Sequence, residues 1–109
     1  MIRISVKRDK RNRIVEYRVT GHAGYDEYGR DVVCSAVSAI AQAAIIGLVK
    51  VAGIEAEYSI DGGDLYCAIP NLEGQRRREA DLLMDTMFYT LESIRDGYPG
   101  NILISETEV

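Results

Sequence analysis

The sequence predicts a mixed α+β fold in which the secondary-structure elements follow the order ββαββαβ within a single domain, 1–109. Five short segments alternate apolar and polar residues, as strands with one buried face do. Two longer segments repeat apolar residues at helical spacing. Because amphipathic helices bury their apolar faces only against another layer, we expect an α/β sandwich of two or three layers with a largely antiparallel sheet and two main helices.

The first two strands are expected to form a β-hairpin with one buried face. A turn-type cluster, Asp9 to Asn12, separates two alternating segments, and Thr20 ends the second. A glycine-bearing loop from Gly21 to Arg30 follows. The apolar residues that alternate are Ile2, Ile4 and Val6, and then Val15, Tyr17 and Val19.

The first helix is predicted from Val32 to about Ala52, since Asp31 is a good N-cap and Gly53 a natural stop. The segment is rich in alanine and apolar on most sides, which is typical of a buried helix. Polar residues interrupt it, so we expect it to be too polar to span a membrane. These residues are Ser38, Gln42 and Lys50, together with Gly47.

The second half of the chain predicts another hairpin, a second helix and a last strand. The hairpin turns at Asp61 to Asp64 and ends at Pro70, and the helix runs from about Glu73 to Arg95. The expected inward-facing hairpin residues are Ile54, Ala56, Tyr58 and Ile60, then Leu65, Cys67 and Ile69. The helix stripe is Leu83, Met84, Met87, Phe88, Leu91 and Ile94, and the last strand contains Ile102 and Ile104.

Composition excludes some functions and favours others. Apolar residues make up 47%, charged residues 28%, and the net charge is −4. This charge does not favour nucleic acid, and it weakly suits a basic partner. The first residues already alternate like a strand, so we expect no secretory signal, a cytoplasmic location, and free thiols at Cys34 and Cys67.

Cys34 and His22 are the strongest candidates for chemistry. Cys34 lies in the first turn of the predicted helix, where backbone N–H groups and the helix dipole favour a thiolate nucleophile. His22, the only histidine, lies on the preceding loop and can serve as general base. The alternatives are that Cys34 is a small core residue and that His22 is a surface or capping residue.

Two neighbours have less certain roles. Asp31 orients the imidazole as in a catalytic triad, or it caps the helix, and these roles compete for the same oxygens. Asp26 and Glu27 are loop alternatives. Ser38 lies one turn after Cys34 on the same helix face, where it bonds the sulfur or the substrate, or merely permits close packing. We also expect the first-turn N–H groups around Cys34 to be free and to form an oxyanion hole.

Other chemistries are less favoured by the sequence. One histidine and two cysteines do not provide the usual zinc spacing, and Gly62-Gly63 belongs to a hairpin turn, so we expect no metal and no cofactor. Cys67 falls in a buried alternation and is expected in the core. Two alternatives remain: an RNA-binding module using the Lys7 to Arg13 and Arg76 to Arg78 clusters, and a thiol transferase or redox sensor using Cys34.

Taken together, several motifs resemble the ribosomal-processing cysteine protease (Prp) family of bacteria. The resemblance implies that His22 is the base and Cys34 the nucleophile, with Asp31 and Ser38 near the site. Ser35 departs from it, since the family often has alanine there. The matching residues are Gly21-His22-Ala23, Tyr28-Gly29, Asp31, Val33-Cys34, Ser38-Ala39, Tyr98 and Asn101-Ile102.

The resemblance further implies a small cytoplasmic endopeptidase without a cofactor. Its substrate would be the N-terminal extension of a basic large-subunit ribosomal protein, removed during ribosome assembly. It also implies a homodimer. From the composition and charge we expect no membrane association and no direct nucleic-acid binding. The loop from Gly24 to Gly29 is expected to close over the bound peptide.

Overall fold

The computed structural model describes residues 1–27 and 30–109, and it confirms the mixed α+β class and the predicted element order. A π-helical segment, Gly47–Val51, continues the first helix. The strands and helices are β1 (Ile2–Arg8), β2 (Ile14–Gly21), α1 (Val32–Ile46), β3 (Glu57–Asp61), β4 (Asp64–Ala68), α2 (Gly74–Gly97) and β5 (Ile102–Glu108).

The sheet has five strands in the order β3-β4-β2-β1-β5. Only the β1–β5 pair is parallel among the described pairs, so the sheet is largely antiparallel as predicted. Along β1, Ile2, Ile4 and Val6 are buried while the residues between them are exposed. Because α1 and α2 cover one face and the other face meets solvent, the fold has two layers rather than three.

A β-bulge corrects the predicted alternation in β2. Lys7 pairs with Glu16, whereas Arg8 pairs with Ile14, so Val15 is an additional residue in its strand. A bulge of this kind shifts the side-chain alternation by one position. Ile14 is therefore fully buried instead of Val15, which is only partly buried, while Tyr17 faces the core as expected.

The predicted buried face of β3 is wrong. The strand begins at Glu57, and each of its residues is exposed, including Tyr58 at 49% and Ile60 at 51%. β3 is an edge strand, and its pairing partner β4 has the buried residues Leu65 and Cys67. The helices therefore cover the inner strands but leave the apolar side chains of this edge partly open.

The helix α1 and the π-helical segment together form one continuous apolar helical stretch. By length and composition, Val32–Val51 is apolar enough to cross a membrane, with a mean hydropathy of 2.2, which corrects the expectation that it is too polar. In the structure its buried side packs in the core, and the Tyr17 hydroxyl donates a hydrogen bond to the Ala41 carbonyl at 2.7 Å. These contacts identify it as a core helix.

The helix α2 buries one arginine of the cluster that the RNA-binding alternative would use. Arg77 is 5% exposed and donates to the Ile14 carbonyl at 2.9 Å and to the Asp81 carboxylate. Arg76 donates to the Gly53 carbonyl, and Arg78 donates to the Gln75 side chain. All three arginines bond to the chain itself, and burial withdraws Arg77 from a nucleic-acid patch, whereas Arg76 and Arg78 are exposed.

Replacing Arg77 with Met is expected to lower the free energy of unfolding by about 2 kcal/mol, because a buried carbonyl loses its donor. The Met side chain retains most of the apolar stem, so packing changes little. Urea unfolding of Arg77→Met and of the matched exposed variant Arg78→Met measures the difference. Equal stabilities for the two variants would contradict the anchoring role.

Candidate active site

A glycine at the end of β2 places His22. Gly21 has φ +88°, in the left-handed region that favours glycine, and an added Cβ would lie 2.4 Å from the Met1 carbonyl oxygen. The chain can therefore turn away from the sheet beside the start of β1 only because this residue lacks a side chain. His22 follows directly, with its side chain 33% exposed.

Asp31 connects the start of α1 to the loop that carries His22. Its Oδ1 accepts hydrogen bonds from the N–H groups of Val33 at 2.9 Å and Cys34 at 3.1 Å. Its Oδ2 accepts from the N–H groups of Tyr25 at 2.9 Å and Asp26 at 3.1 Å. Capping and loop positioning therefore use different oxygens, so the expected competition for the same oxygens does not arise.

The charge of Asp31 is maintained although the side chain is only 2% exposed. Burial by itself raises the pKa of this carboxyl, but the backbone N–H groups, that of Cys34 foremost, outweigh it and hold the pKa below the ordinary value of 3.8. The His22 Nε2 atom lies 3.7 Å from Asp31 Oδ2. The imidazole thus has a fixed negative charge beside it.

The structure brings the predicted thiol, imidazole and carboxylate together. The Cys34 Sγ atom, a His22 ring nitrogen and an Asp31 oxygen all lie within 4.8 Å of one another. The Gly24 N–H donates to His22 Nδ1 at 3.2 Å, which fixes one side of the ring. The other predicted orienting groups, Asp26 and Glu27, are exposed and bond to other parts of the loop.

This cluster also has the spacing of a metal site. Each Asp31 oxygen, however, already accepts two backbone N–H bonds, which occupy the lone pairs that a metal ion would need. Only three candidate ligands belong to the group within the described residues, fewer than a structural zinc site uses. The donor set therefore suits acid–base chemistry better than metal binding.

The expected oxyanion hole at the start of α1 is not formed by the predicted amides. The Val33 and Cys34 N–H groups donate to the Asp31 side chain, and the Ser35 N–H donates to the Asp31 carbonyl at 3.1 Å. The capping carboxylate thus engages the donors that the sequence suggested would be free. Instead, the Ala23 N–H donates to Cys34 Sγ at 3.2 Å, from the loop side.

Ser38 belongs to the site, together with a residue that the sequence analysis missed. The Ser38 hydroxyl oxygen accepts a hydrogen bond from Gln42 Nε2 at 2.7 Å, which leaves the hydroxyl hydrogen able to point elsewhere. Cys34, Ser38 and Gln42 follow one another at intervals of four residues along α1, so they share one helix face. That spacing was the signal that could have identified Gln42.

A cavity of about 290 Å³ opens beside the thiol, so Cys34 is not sealed in the core. Its lining contains both polar residues, among them the catalytic candidates, and apolar residues. The polar lining residues are His22, Asp31, Cys34, Ser35, Ser38 and Asp64, next to Gly21 and Gly63. The apolar lining residues are Ile2, Val19, Val37, Ile60 and Leu65.

The second cysteine has the structural role expected from its position in a strand. Cys67 is a free thiol, fully buried beneath the helices. Burial raises its pKa to about 11, so the thiol remains protonated at neutral pH. A protonated thiol without solvent access is a poor nucleophile, so Cys34 is the better candidate of the two cysteines.

The fold and the site together define a cysteine protease. The family model described as "Cysteine protease Prp" matches residues 1–103, and the chain belongs to this family. The resemblance drawn from the Gly21-His22-Ala23 and Cys34 motifs is thereby confirmed.

Similar proteins come from several bacteria. The ribosomal processing cysteine protease Prp of Bacillus subtilis is 33% identical over 96% of each chain. The protein of the same name from Staphylococcus aureus Mu50 is 29% identical over 96% of this chain and 98% of its own. The crystal structure of the S. aureus protease with a covalently linked product peptide has a TM-score of 0.88 at 24% identity, covering 97% of this chain and 99% of that one.

Replacing Asp31 with Asn is expected to lower the thermal midpoint of unfolding by about 5 °C at neutral pH. A single amide oxygen cannot accept from both the helix and the loop, and the amide NH₂ group opposes the remaining N–H donors. The exposed variant Asp26→Asn is the matched control.

The same variant has a predicted pH dependence. Because the pKa of Asp31 is lowered on folding, the ionised carboxylate stabilises the fold above its ordinary pKa of 3.8. This stabilisation is lost as the pH falls from 3.8 through the lower pKa of the folded state. Thermal unfolding at a series of acidic pH values should show the two proteins converging, and a constant difference would contradict the assignment.

Proposed function

We propose that this cysteine protease uses Cys34 as nucleophile and His22 as general base and acid, and that it removes the N-terminal extension of a basic large-subunit ribosomal protein. The observation that carries the proposal is the approach of Cys34 Sγ, a His22 nitrogen and Asp31 to within 4.8 Å of one another beside an open cavity. Asp31 and Ser38 act as supporting residues.

The proposed reaction begins when the Cys34 thiolate attacks the scissile carbonyl carbon. A sulfur–carbon bond forms, and the electron pair of the carbonyl moves to its oxygen. His22 then protonates the leaving amine as the carbon–nitrogen bond breaks, giving a thioester. In the second half His22 takes a proton from water, the hydroxide attacks the thioester, and the thiolate leaves.

Asp31 contributes through its charge rather than by taking the proton. His22 becomes positively charged when it holds the proton from the thiol, and the ionised Asp31 oxygen 3.7 Å away stabilises that form. The Ser38 hydroxyl lines the same cavity, and Gln42 occupies one of its lone pairs. The Ser38 hydroxyl hydrogen is thus available to donate toward the sulfur or the substrate, which is the supporting role that we propose for Ser38.

The substrate assignment rests on the cavity, the net charge and the relatives. The apolar lining, which includes Val37, Ile60 and Leu65, suits an apolar side chain close to the scissile bond. The net charge of −4 suits a basic protein. The relatives in B. subtilis and S. aureus are named ribosomal processing proteases. This supports a ribosomal protein substrate, and we propose a cytoplasmic location for the enzyme on the same ground.

Loop closure over the peptide stays a prediction. Of the predicted hinge residues, Gly24 has a positive φ of 72°, which glycine adopts readily. Gly29, the second predicted hinge, lies outside the described residues, as does Tyr28.

Cys34→Ala is expected to abolish cleavage of a peptide that spans the extension and the mature N-terminus. His22→Gln should reduce kcat by about a thousandfold, because proton transfer to the leaving amine is lost. Cys67→Ala, which removes the buried thiol, is the matched control and should remain active. Mass spectrometry of the products identifies the cleaved bond.

Each contrary outcome identifies a different error. Cleavage by Cys34→Ala would refute the assignment of the nucleophile. If the wild-type protein shows no peptide hydrolysis and Cys34 is reversibly oxidised, the redox alternative is favoured instead. The RNA-binding alternative predicts salt-sensitive binding, and the internal bonds of Arg76, Arg77 and Arg78 argue against it.

We also propose that the protein is a homodimer, as the family resemblance implies. Two exposed apolar residues on the outer side of α2 support a dimer interface. Leu82 is 71% exposed and Tyr89 is 66% exposed, and they lie two helical turns apart on one face. Apolar side chains exposed in this way are typical of a protein interface. Sedimentation velocity should give a dimer for the wild type and a monomer for the double variant Leu82→Glu/Tyr89→Glu, and a monomeric wild type would refute the proposal.

A further inference from the structure

We infer that the Ala23 N–H is the oxyanion donor of this protease and that Asn101 is the positioning residue that holds it in place. The inference rests on the proposed function, because an oxyanion arises only if Cys34 attacks a carbonyl. It assigns a role to the turn at 98–101, which precedes β5 and lies far from the thiol in sequence; we call it the C-terminal turn.

Both polar backbone groups of Ala23 are used. Its N–H donates to Cys34 Sγ at 3.2 Å, and its carbonyl accepts a hydrogen bond from Asn101 Nδ2 at 2.9 Å. The residue itself is only 3% exposed, so neither bond is replaced easily by water. The backbone that directly follows His22 is therefore fixed between the nucleophile and a side chain of the C-terminal turn.

Asn101 is itself held by the sheet and the turn. Its backbone N–H donates to the Tyr98 carbonyl at 2.9 Å, and its carbonyl accepts from the Ile2 N–H at 2.9 Å. The Tyr98 ring packs edge-on against the Tyr25 ring with centroids 5.3 Å apart. Asn101 thus contacts the loop from a turn that is hydrogen-bonded to β1. The contact between the Tyr98 and Tyr25 rings joins the same turn and loop a second time.

The chemistry needs a donor other than the three α1 amides at and beside Cys34. When Cys34 Sγ bonds to the scissile carbon, the electron pair of the carbonyl moves onto the oxygen attached to that carbon. The Val33, Cys34 and Ser35 N–H groups are bonded to Asp31. The Ala23 N–H faces the sulfur from the loop and can shift its bond from the sulfur to the oxyanion as the new bond forms.

The test compares Asn101→Ala and Asn101→Asp with the exposed control Asn71→Ala. The Asp variant keeps the size of the side chain but removes the N–H donor, so a purely steric role would survive it. Both Asn101 variants should lose kcat by about tenfold to a hundredfold, with KM within about twofold, because the lost interaction acts in the transition state. The control should retain its kcat.

A second measurement does not depend on activity. In ¹⁵N-labelled protein, the amide signal of Ala23 should shift and its hydrogen exchange should accelerate in both Asn101 variants, but not in Asn71→Ala. Wild-type kcat in Asn101→Asp, or a change confined to KM, would overturn the inference while leaving the proposed function intact. Failure of the wild type to cleave the peptide would instead refute the proposed function, and with it the oxyanion role of Ala23. In that case the Ala23 amide signal still tests whether Asn101 positions the Ala23 backbone, and an unchanged signal in both Asn101 variants would refute that role.

Discussion

The arrangement of the site depends on one buried carboxylate that must be satisfied by hydrogen bonds. Asp31 is only 2% exposed, and an ionised group at such a position is costly unless donors surround it. Two of its donors belong to α1 and two to the loop. Moving the loop away would leave one oxygen of a buried charge unsatisfied, so helix start and loop are held in one relative position.

That single constraint brings the reactive groups together. Cys34 is on the helix side of Asp31 and donates its own N–H to the carboxylate, while His22 precedes the loop amides on the other side. The cap and the Ala23 N–H bond to Cys34 Sγ therefore both contribute to the short distance between thiol and imidazole. The same carboxylate then supplies the negative charge that a protonated imidazole needs.

The sequence predicted those features that local spacing encodes. Asp31 before an apolar helical segment is a local capping signal, and the approach of His22 to Cys34 requires only a short loop. The features that were missed depend on contacts distant in sequence. Arg77 bonds to Ile14, and Asn101 bonds to Ala23, and neither pair has any spacing pattern.

The errors in the sheet have the same origin. The bulge at Val15 and the open edge at Tyr58 depend on which strands become neighbours and on how far the helices extend over them. The apolar periodicity within one strand predicts neither the neighbouring strands nor the extent of helix cover. Gln42 is different, because its spacing from Ser38 was visible in the sequence and its role at the site could have been inferred.

The cap also determines where the stabilisation of the nucleophile must come from. A cysteine in the first turn of a helix ordinarily benefits from free backbone N–H groups, but here those groups serve Asp31. Apart from the Ser38 hydroxyl on α1, the groups beside the sulfur are the Ala23 N–H and the His22 ring, and both belong to the segment that follows β2. The proposed mechanism therefore requires that segment to be in place, and the contacts that hold it lie at Asp31, Tyr98 and Asn101.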